Sequence, residues 1–335
     1  MNILITGGCG FIGSHLTELS LSKGHKVTII DDLSTGQIKN ITHLETNPSL
    51  KIYRDSIFNT ELLSELIHSN DIIFHLAAAV GVQLIVEKPV ETIETNVFGT
   101  HNVIKLASQF KKKLLIASTS EIYGKNSKTP FSEDSDRLLG PTTISRWSYS
   151  SSKAIDEFMA LAYHQEFGLD VIIFRLFNTV GPRQTGRYGM VLPNFVSKAL
   201  SNEKIIVHGT GTQSRCFCDV SDVVKAIFNL SEEESASGQI FNIGSMNEIT
   251  INDLALKVLQ VVNKKRNHDI TIDDSNLNKH IDFVNYEQVF GKNFQDMMRR
   301  VPNTEKIQKL TGWHPKIDLD TTVERVTKYL MESNL

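Results

Sequence analysis

Eight residues near the start of the chain constrain its fold more than any others: Thr6-Gly7-Gly8-Cys9-Gly10-Phe11-Ile12-Gly13. They follow directly on the aliphatic run Asn2–Thr6 and open into an amphipathic stretch at 13–23. Gly7, Gly10 and Gly13 have G-x-x-G-x-x-G spacing at a strand-to-helix turn. Missing Cβ atoms permit the tight turn, let backbone approach a bound group, and allow close helix–strand packing. The helix start, with Phe11 and Ile12 in its first turn, offers free N–H groups and a positive dipole end, which suit a pyrophosphate. Alone, such glycines mark only a tight turn. With a strand before them, a helix after them and an acid further on, they read as a dinucleotide fingerprint.

That acid is Asp31, at the end of a second strand, Lys26–Ile30. It is placed to hydrogen-bond the adenosine ribose hydroxyls, which favours NAD over NADP because a 2′-phosphate would meet a carboxylate. Asp32 is adjacent, and the sequence leaves the register between the two open. Asp55 and Ser56 follow a third strand, where they are placed to reach the adenine. Leu76-Ala77-Ala78 end a fourth, and their small size lets backbone approach a cofactor. His75 reads as a packed histidine.

The first half alternates short β-branched runs (Asn2–Thr6, Lys26–Ile30, Leu50–Tyr53, 71–76, 113–118, 170–175) with helical patterns at 13–23, 59–68 and 96–110. Such alternation predicts parallel strands with right-handed crossovers, hence an α/β doubly wound sheet covered on both faces. Beyond about residue 178 the pattern breaks into shorter pieces: a helix at 192–200, a strand at Ile205–His208 and a C-terminal helix at 319–331. Two domains are expected, residues 1–177 with returning segments at about 214–245, and residues 178–335, in keeping with a chain of 335 residues.

The formal net charge of -3 argues against a protein that grips a nucleic-acid backbone, which needs a basic surplus. Three cysteines, Cys9, Cys216 and Cys218, are too few for a disulfide framework and point to a reducing compartment. No His/Cys/Asp cluster has metal-ligand spacing. The start has no charged n-region and no apolar run is long enough to span a membrane, so a cytoplasmic, membrane-free protein is expected.

The reactive constellation is Tyr149-Ser150-Ser151-Ser152-Lys153. An i, i+4 pair shares a helical face, so the ammonium is expected beneath the phenol and a cofactor ribose, lowering the phenol's pKa. Tyr149 is then the base. Alone, Tyr-x-x-x-Lys is usually helix surface; after a nucleotide fingerprint it becomes specific.

Together the glycine turn, Asp31, His75 to Ala79, Ser118-Thr119-Ser120-Glu121-Ile122-Tyr123-Gly124 and Tyr149…Lys153 resemble the extended short-chain dehydrogenase/reductase superfamily, and within it the NAD-dependent nucleotide-sugar epimerases, dehydratases and decarboxylases. Asn178-Thr179-Val180-Gly181-Pro182-Arg183, Gly209 to Arg215 and Gly312-Trp313-His314-Pro315 carry the resemblance through the whole chain. It implies a Rossmann domain binding NAD and a smaller α/β domain binding a nucleotide-diphosphate sugar, commonly UDP-linked. It also implies a homodimer through a four-helix interface of helices 96–110 and 148–165, whose apolar residues include Val97, Ile104, Ile155, Phe158, Met159 and Ala162.

By the same resemblance Thr119 hydrogen-bonds the sugar 4-hydroxyl, and the next two positions vary with the reaction. The 4,6-dehydratases carry Asp-Glu there, and galactose-type 4-epimerases usually lack the acid. Ser120-Glu121 resembles the Thr-Ser-Glu of UDP-glucuronate decarboxylases, as does the segment Gly140-Pro141 through Arg146-Trp147-Ser148-Tyr149. Arg300 matches that family's active-site arginine, as carboxylate reader or diphosphate anchor. Asn178, Arg183 and Arg215 read as diphosphate or ribose contacts, a loop salt bridge being the alternative for Arg183. Decarboxylation of a UDP-hexuronic acid leads. UDP-sugar 4-epimerisation, dehydration and a non-catalytic NAD-binding regulator stand as alternatives; the last requires a broken Tyr/Lys/Thr set.

Overall fold

The computed structural model describes residues 1–81, 85, 87–186, 189–266, 273, 276–290 and 297–333. Seven strands form the central sheet: β1 Asn2–Thr6, β2 Lys26–Ile30, β3 Leu50–Tyr53, β4 Ile72–His75, β5 Lys113–Thr119, β6 Val171–Leu176 and β7 Gln239–Ile243. Their order is β7-β6-β5-β4-β1-β2-β3, and every neighbouring pair is parallel. The order reverses between β1 and β4, where a crevice opens at the carboxyl ends of the strands. The glycine turn after β1, residues 76–79 after β4 and residues 119–121 after β5 all lie at that edge.

Side chains alternate along a strand, and here both faces are dry. Ile3 and Ile5 pack with Phe74, Val223 and Ile227 in one core, against helices α1 (Phe11–Ser22) and α6 (Val220–Glu232). Leu4 faces the other way, with Leu63, Val103 and Ala160, against α2 (Thr60–Ser69), α3 (Thr100–Gln109) and α4 (Arg146–Phe167). A third core, built on Leu192, Phe195, Leu254, Val258 and Val323, is formed by α5 (Val191–Leu200), α7 (Ile251–Lys265) and α8 (Leu319–Ser333). Beside it runs a parallel pair, Ile205–His208 with Ile281–Val284.

One detail departs from the expected elements. The helix expected at 96–110 begins at Pro89–Glu94 and passes through a π turn, Thr95–Gly99, before α3. The wider turn carries Asn96, whose side chain accepts from Ala79 N (2.9 Å) and donates to Ala79 O (3.3 Å). A local irregularity therefore clamps the end of β4, a common use of π turns. Strand β7 returns from the later half to pair with β6.

Helix α4 is locked to the sheet by a buried ion pair. Arg175 on β6 donates Nε and Nη2 to the two oxygens of Glu157 (2.9 and 2.7 Å), and Ser118 on β5 donates to the same carboxylate. The fork fixes both the rotation and the translation of α4, and hence the positions of Tyr149 and Lys153. All three cysteines are buried and free. Among the described residues no helix is long and apolar enough to cross a membrane.

Candidate active site

The glycine turn is shaped by close approach. Gly7 has φ +73°, and a Cβ there would lie 2.8 Å from Ala77 N; a Cβ on Gly13 would lie 2.1 Å from Gly7 O. Helix α1 has no side-chain cap and no acid in its first turn, so the N–H groups around Gly10, Phe11 and Ile12 carry no competing anion. Asp31 is buried and accepts from Cys9 N and Leu33 N, at 2.9 Å each. Burial raises its pKa and these two bonds oppose the rise. A carboxylate has about four lone-pair sites, so acceptor capacity remains for ribose hydroxyls. Asp32 is exposed and closes a turn on Ser34 N (2.9 Å).

Asp55 and Ser56 are engaged in a local turn. Asp55 accepts from Ser56 N (2.7 Å) and Asn59 Nδ2 (2.9 Å), and Ser56 Oγ accepts from Phe58 N (3.2 Å). Their side chains build the turn into α2. Leu76, Ala77 and Ala78 are half-buried; Leu76 N donates to Thr6 O (3.1 Å) and Ala77 N to Thr6 Oγ1 (3.2 Å). An uncapped helix start, a glycine cradle in which a Cβ would collide with backbone, and a buried acid with spare acceptors fit NAD.

Beside this cradle, residues far apart in sequence converge on one carboxylate. Thr119 Oγ1 accepts from Glu121 N (3.2 Å), and its hydroxyl hydrogen-bonds the Tyr149 phenol. Glu121 Oε1 receives Arg146 Nη2 at 3.3 Å and Arg300 Nη1 at 3.4 Å. Arg300 also reaches Ser120 Oγ (3.5 Å) and, through Nη2, Asn178 Oδ1 (3.0 Å). Asn178 is held in turn by donating to Cys216 O (3.0 Å). Glu121 Oε2 is buried and accepts no hydrogen bond among the described residues. Leaving such an oxygen unsatisfied is costly, so the site is built for a hydroxyl or a transferring proton there. Arg146, in the first turn of α4, had only a family likeness in the sequence. Its position three residues before Tyr149 was the available signal.

Two other arginines lie elsewhere. Arg183 pairs with Glu18 of α1 (2.6 Å) and touches Ser14 Oγ (3.3 Å). That is the loop salt bridge, on the cofactor side of the molecule. Arg215 is buried and donates to Ser214 O (2.7 Å) and Met298 O (3.3 Å), which brings the segment preceding Arg300 against the strand Ser214–Cys216.

The electrostatics of Tyr149 differ from the simple Tyr–Lys picture. Among the protein's own groups its pKa is raised, chiefly by burial, then by the negative charge of Glu121; the Thr119 hydrogen bond and Arg300 oppose the rise. Lys153 is buried and donates to Asp156 Oδ2 at 2.7 Å. The expected lowering of the phenol's pKa is thus offset at its source, because the ammonium already has a counter-ion.

A family model described as GDP-mannose 4,6 dehydratase matches residues 4–326. The UDP-N-acetyl-alpha-D-glucosaminuronate decarboxylase of Bacillus cytotoxicus is 39% identical over 330 residues, covering 98% of this chain and 97% of that protein. UDP-glucuronic acid decarboxylase 1 of Danio rerio is 33% identical over 98% of this chain and 72% of its own length. A solved UDP-glucuronic acid 4-epimerase from Bacillus cereus, bound to UDP-4-deoxy-4-fluoro-glucuronic acid and NAD, superposes with a TM-score of 0.84 at 26% identity, covering 99% of this chain and 100% of the other. The cradle, the Tyr149–Lys153 pair and these likenesses agree: the chain belongs to the GDP-mannose 4,6-dehydratase family and is an NAD-dependent nucleotide-sugar enzyme.

Proposed function

We propose that the protein decarboxylates a UDP-hexuronic acid through a 4-keto intermediate. The observation that carries this reading is the pair of guanidiniums, Arg146 and Arg300, meeting at Glu121 beside Thr119 and Tyr149. Two cations next to the reacting centre fit a substrate with a carboxylate on C5, and both decarboxylase relatives act, by their names, on such sugars. Arg300 then reads the carboxylate in preference to the diphosphate.

Thr119 and Tyr149 bind and orient the sugar 4-hydroxyl, and Tyr149 takes its proton as C4 is oxidised. Bound NAD supplies the hydride acceptor for that oxidation and, once reduced, the donor for the reverse step. The new ketone lies β to the carboxylate, so the C5–C6 electron pair passes into the carbonyl as CO2 leaves. Thr119 and Tyr149 donate to the enolate oxygen that results. Glu121, with its open Oε2, passes to C5 a proton drawn from a water molecule that is left as hydroxide to be neutralised by solvent, and Ser120 orients it. Arg146 and Arg300 hold the carboxylate and lose that anion when CO2 departs. Asn178 and Arg300 at Glu121 support a reading in which 178–335 serves mainly the sugar nucleotide and 1–177 mainly the cofactor.

The 4-epimerase likeness favours a second reading, in which the same 4-ketone is re-reduced on its other face and the carboxylate is kept. Incubation with NAD and UDP-glucuronate, UDP-N-acetylglucosaminuronate, UDP-glucose and UDP-N-acetylglucosamine, followed by mass spectrometry, separates the readings. Loss of CO2 from the two uronates supports decarboxylation. Loss of water, or unchanged mass with an altered sugar NMR spectrum, would sink it.

The assembly we infer is a homodimer through 96–110 and 148–165. Phe98, Ile155 and Phe158 are exposed on these segments, and Val90 and Ile93 on the helix leading into them, while Ile104 packs inward. A cytoplasmic location fits three buried, unpaired thiols.

A further inference from the structure

A chain of buried polar side chains runs from the glycine turn to the catalytic lysine, and the mechanism above does not use it. His75 Nδ1 lies 2.7 Å from Thr6 Oγ1, and His75 Nε2 lies 3.0 Å from Thr100 Oγ1. Thr100 Oγ1 donates to Asp156 Oδ2 (3.4 Å), which also accepts Lys153 Nζ (2.7 Å). All five side chains are buried, Asp156 completely.

The direction of every proton follows from counting donors. Thr100 spends its only hydrogen on Asp156, so it must accept at His75, which places the imidazole proton on Nε2. A neutral imidazole then accepts at Nδ1, and Thr6 is its donor. Thr6 Oγ1 in turn accepts from Ala77 N (3.2 Å). His75 is neutral because burial, and then the Lys153 charge, lower its pKa to about 3. The relay reads Ala77 N–H, Thr6, His75, Thr100, Asp156, with Lys153 at its charged end, and each hydroxyl donates once and accepts once.

We propose that Asp156 is a positioning residue of the catalytic pair: as counter-ion of Lys153, fixed through Thr100 and His75, it sets where the ammonium sits relative to Tyr149 and how much of its charge the phenol receives. This rests on Tyr149 and Lys153 acting as the proposed function has them. Glu157, the neighbouring acid on α4, is saturated by Arg175 and cannot take the role. Among the described residues Asp156 Oδ1 is buried without a hydrogen-bond partner, so Thr100 and Lys153 are what hold the carboxylate there.

The groups that face Tyr149 are Glu121 after β5, Arg300 from the C-terminal segment and Asp156 on its own helix, with Thr119 hydrogen-bonding the phenol. Those that face Asp156 are Lys153 and Glu157 on α4 and the Thr100 hydroxyl on α3. His75 on β4 faces Lys153. Of the two carboxylates acting on Tyr149, Glu121 is engaged by two arginines. Asp156 alone also bonds the lysine. Replacing it by a neutral isostere removes a negative charge and leaves the Tyr149 phenolate as an anion for the ammonium to pair with.

The test is phenolate absorbance in the NAD-loaded protein, titrated upward from about pH 6 as far as the fold survives, because burial starts Tyr149 above the ordinary tyrosine range, with each protein's Tyr149→Phe counterpart subtracted to isolate this tyrosine. In Asp156→Asn the Tyr149 midpoint is expected to fall by about one pH unit, and in Asp156→Glu to return toward the parent value. A midpoint unchanged or raised in Asp156→Asn, with the protein folded and NAD retained, overturns the proposal; a purely structural aspartate would lower thermal stability only. If Asp156→Asn does not fold, Asp156→Ser, smaller and still an acceptor, is read by the same criterion. No sugar nucleotide enters the measurement, so failure of the decarboxylase reading leaves its outcome interpretable.

Discussion

Glu121 divides its labour between its two carboxylate oxygens. One oxygen is held by two arginines and the other is buried and open. The first fixes the carboxylate, and the second is free to work. Tyr149→Phe removes the base and leaves the glycine cradle intact, so kcat is expected to drop at least about a hundredfold with NAD still bound, as equilibrium dialysis will report. Arg146→Ala and Arg300→Ala each remove a charged hydrogen bond worth about 1.5–3 kcal/mol. Their kcat/KM losses should be about tenfold or more larger for a uronate than for UDP-glucose if they read a carboxylate; equal losses point to the diphosphate. His75 supplies a pH signature. Burial pushes its pKa down to about 3, well below the ordinary imidazole value of about 6.5, so the unfolded chain takes up a proton that the native one refuses. This contribution to stability is full above about pH 6.5 and is lost as pH falls toward 3. Urea denaturation of His75→Asn should show lower stability at neutral pH and a shallower decline across that window.

At the scale of elements, the site depends on α4 being unable to move and on α1 beginning at a bare turn. Glu157→Gln leaves the Arg175 guanidinium buried without its carboxylate, and breaking such a pair costs about 3–5 kcal/mol, read as a lower denaturation midpoint. Gly13→Ala puts a methyl where Gly7 O and Gly8 Cα already stand; with no flexible side chain to yield, about 1–3 kcal/mol of stability should go together with NAD affinity. These elements were legible beforehand because their causes are local. Glycines at 7, 10 and 13 with strands on either side, and Tyr149 four residues before Lys153, are written within a few turns of chain. The polar relay was not legible, since Thr6, His75, Thr100 and Asp156 meet only after two strands and two helices pack. The same holds for Arg146, Asn178 and Arg300 at Glu121. Asp55 and Ser56 hold the start of α2, with one bond accepted at each Asp55 oxygen, which leaves acceptor capacity on the carboxylate. Arg183 is engaged by Glu18.

For the whole molecule, the sheet sets the edge at which segments 119–121, 146–149, 178 and 300 arrive at one place. The exposed apolar residues of the 96–110 and 148–165 segments lie outside that crevice. Phe158→Glu is expected to convert a dimer into monomers in sedimentation velocity without altering the circular dichroism of the fold; a parent that sediments as a monomer would refute the interface. The account's central claim is the fate of the C6 carboxylate, and it is most directly tested with UDP-glucuronate and UDP-N-acetylglucosaminuronate labelled with carbon-13 at C6. With NAD present, the label is predicted to leave one of these sugars as carbon dioxide or bicarbonate in NMR spectra of the parent protein and to stay put with Tyr149→Phe. Label retained in the sugar nucleotide by the active parent enzyme, whether inverted at C4 or dehydrated, would contradict it.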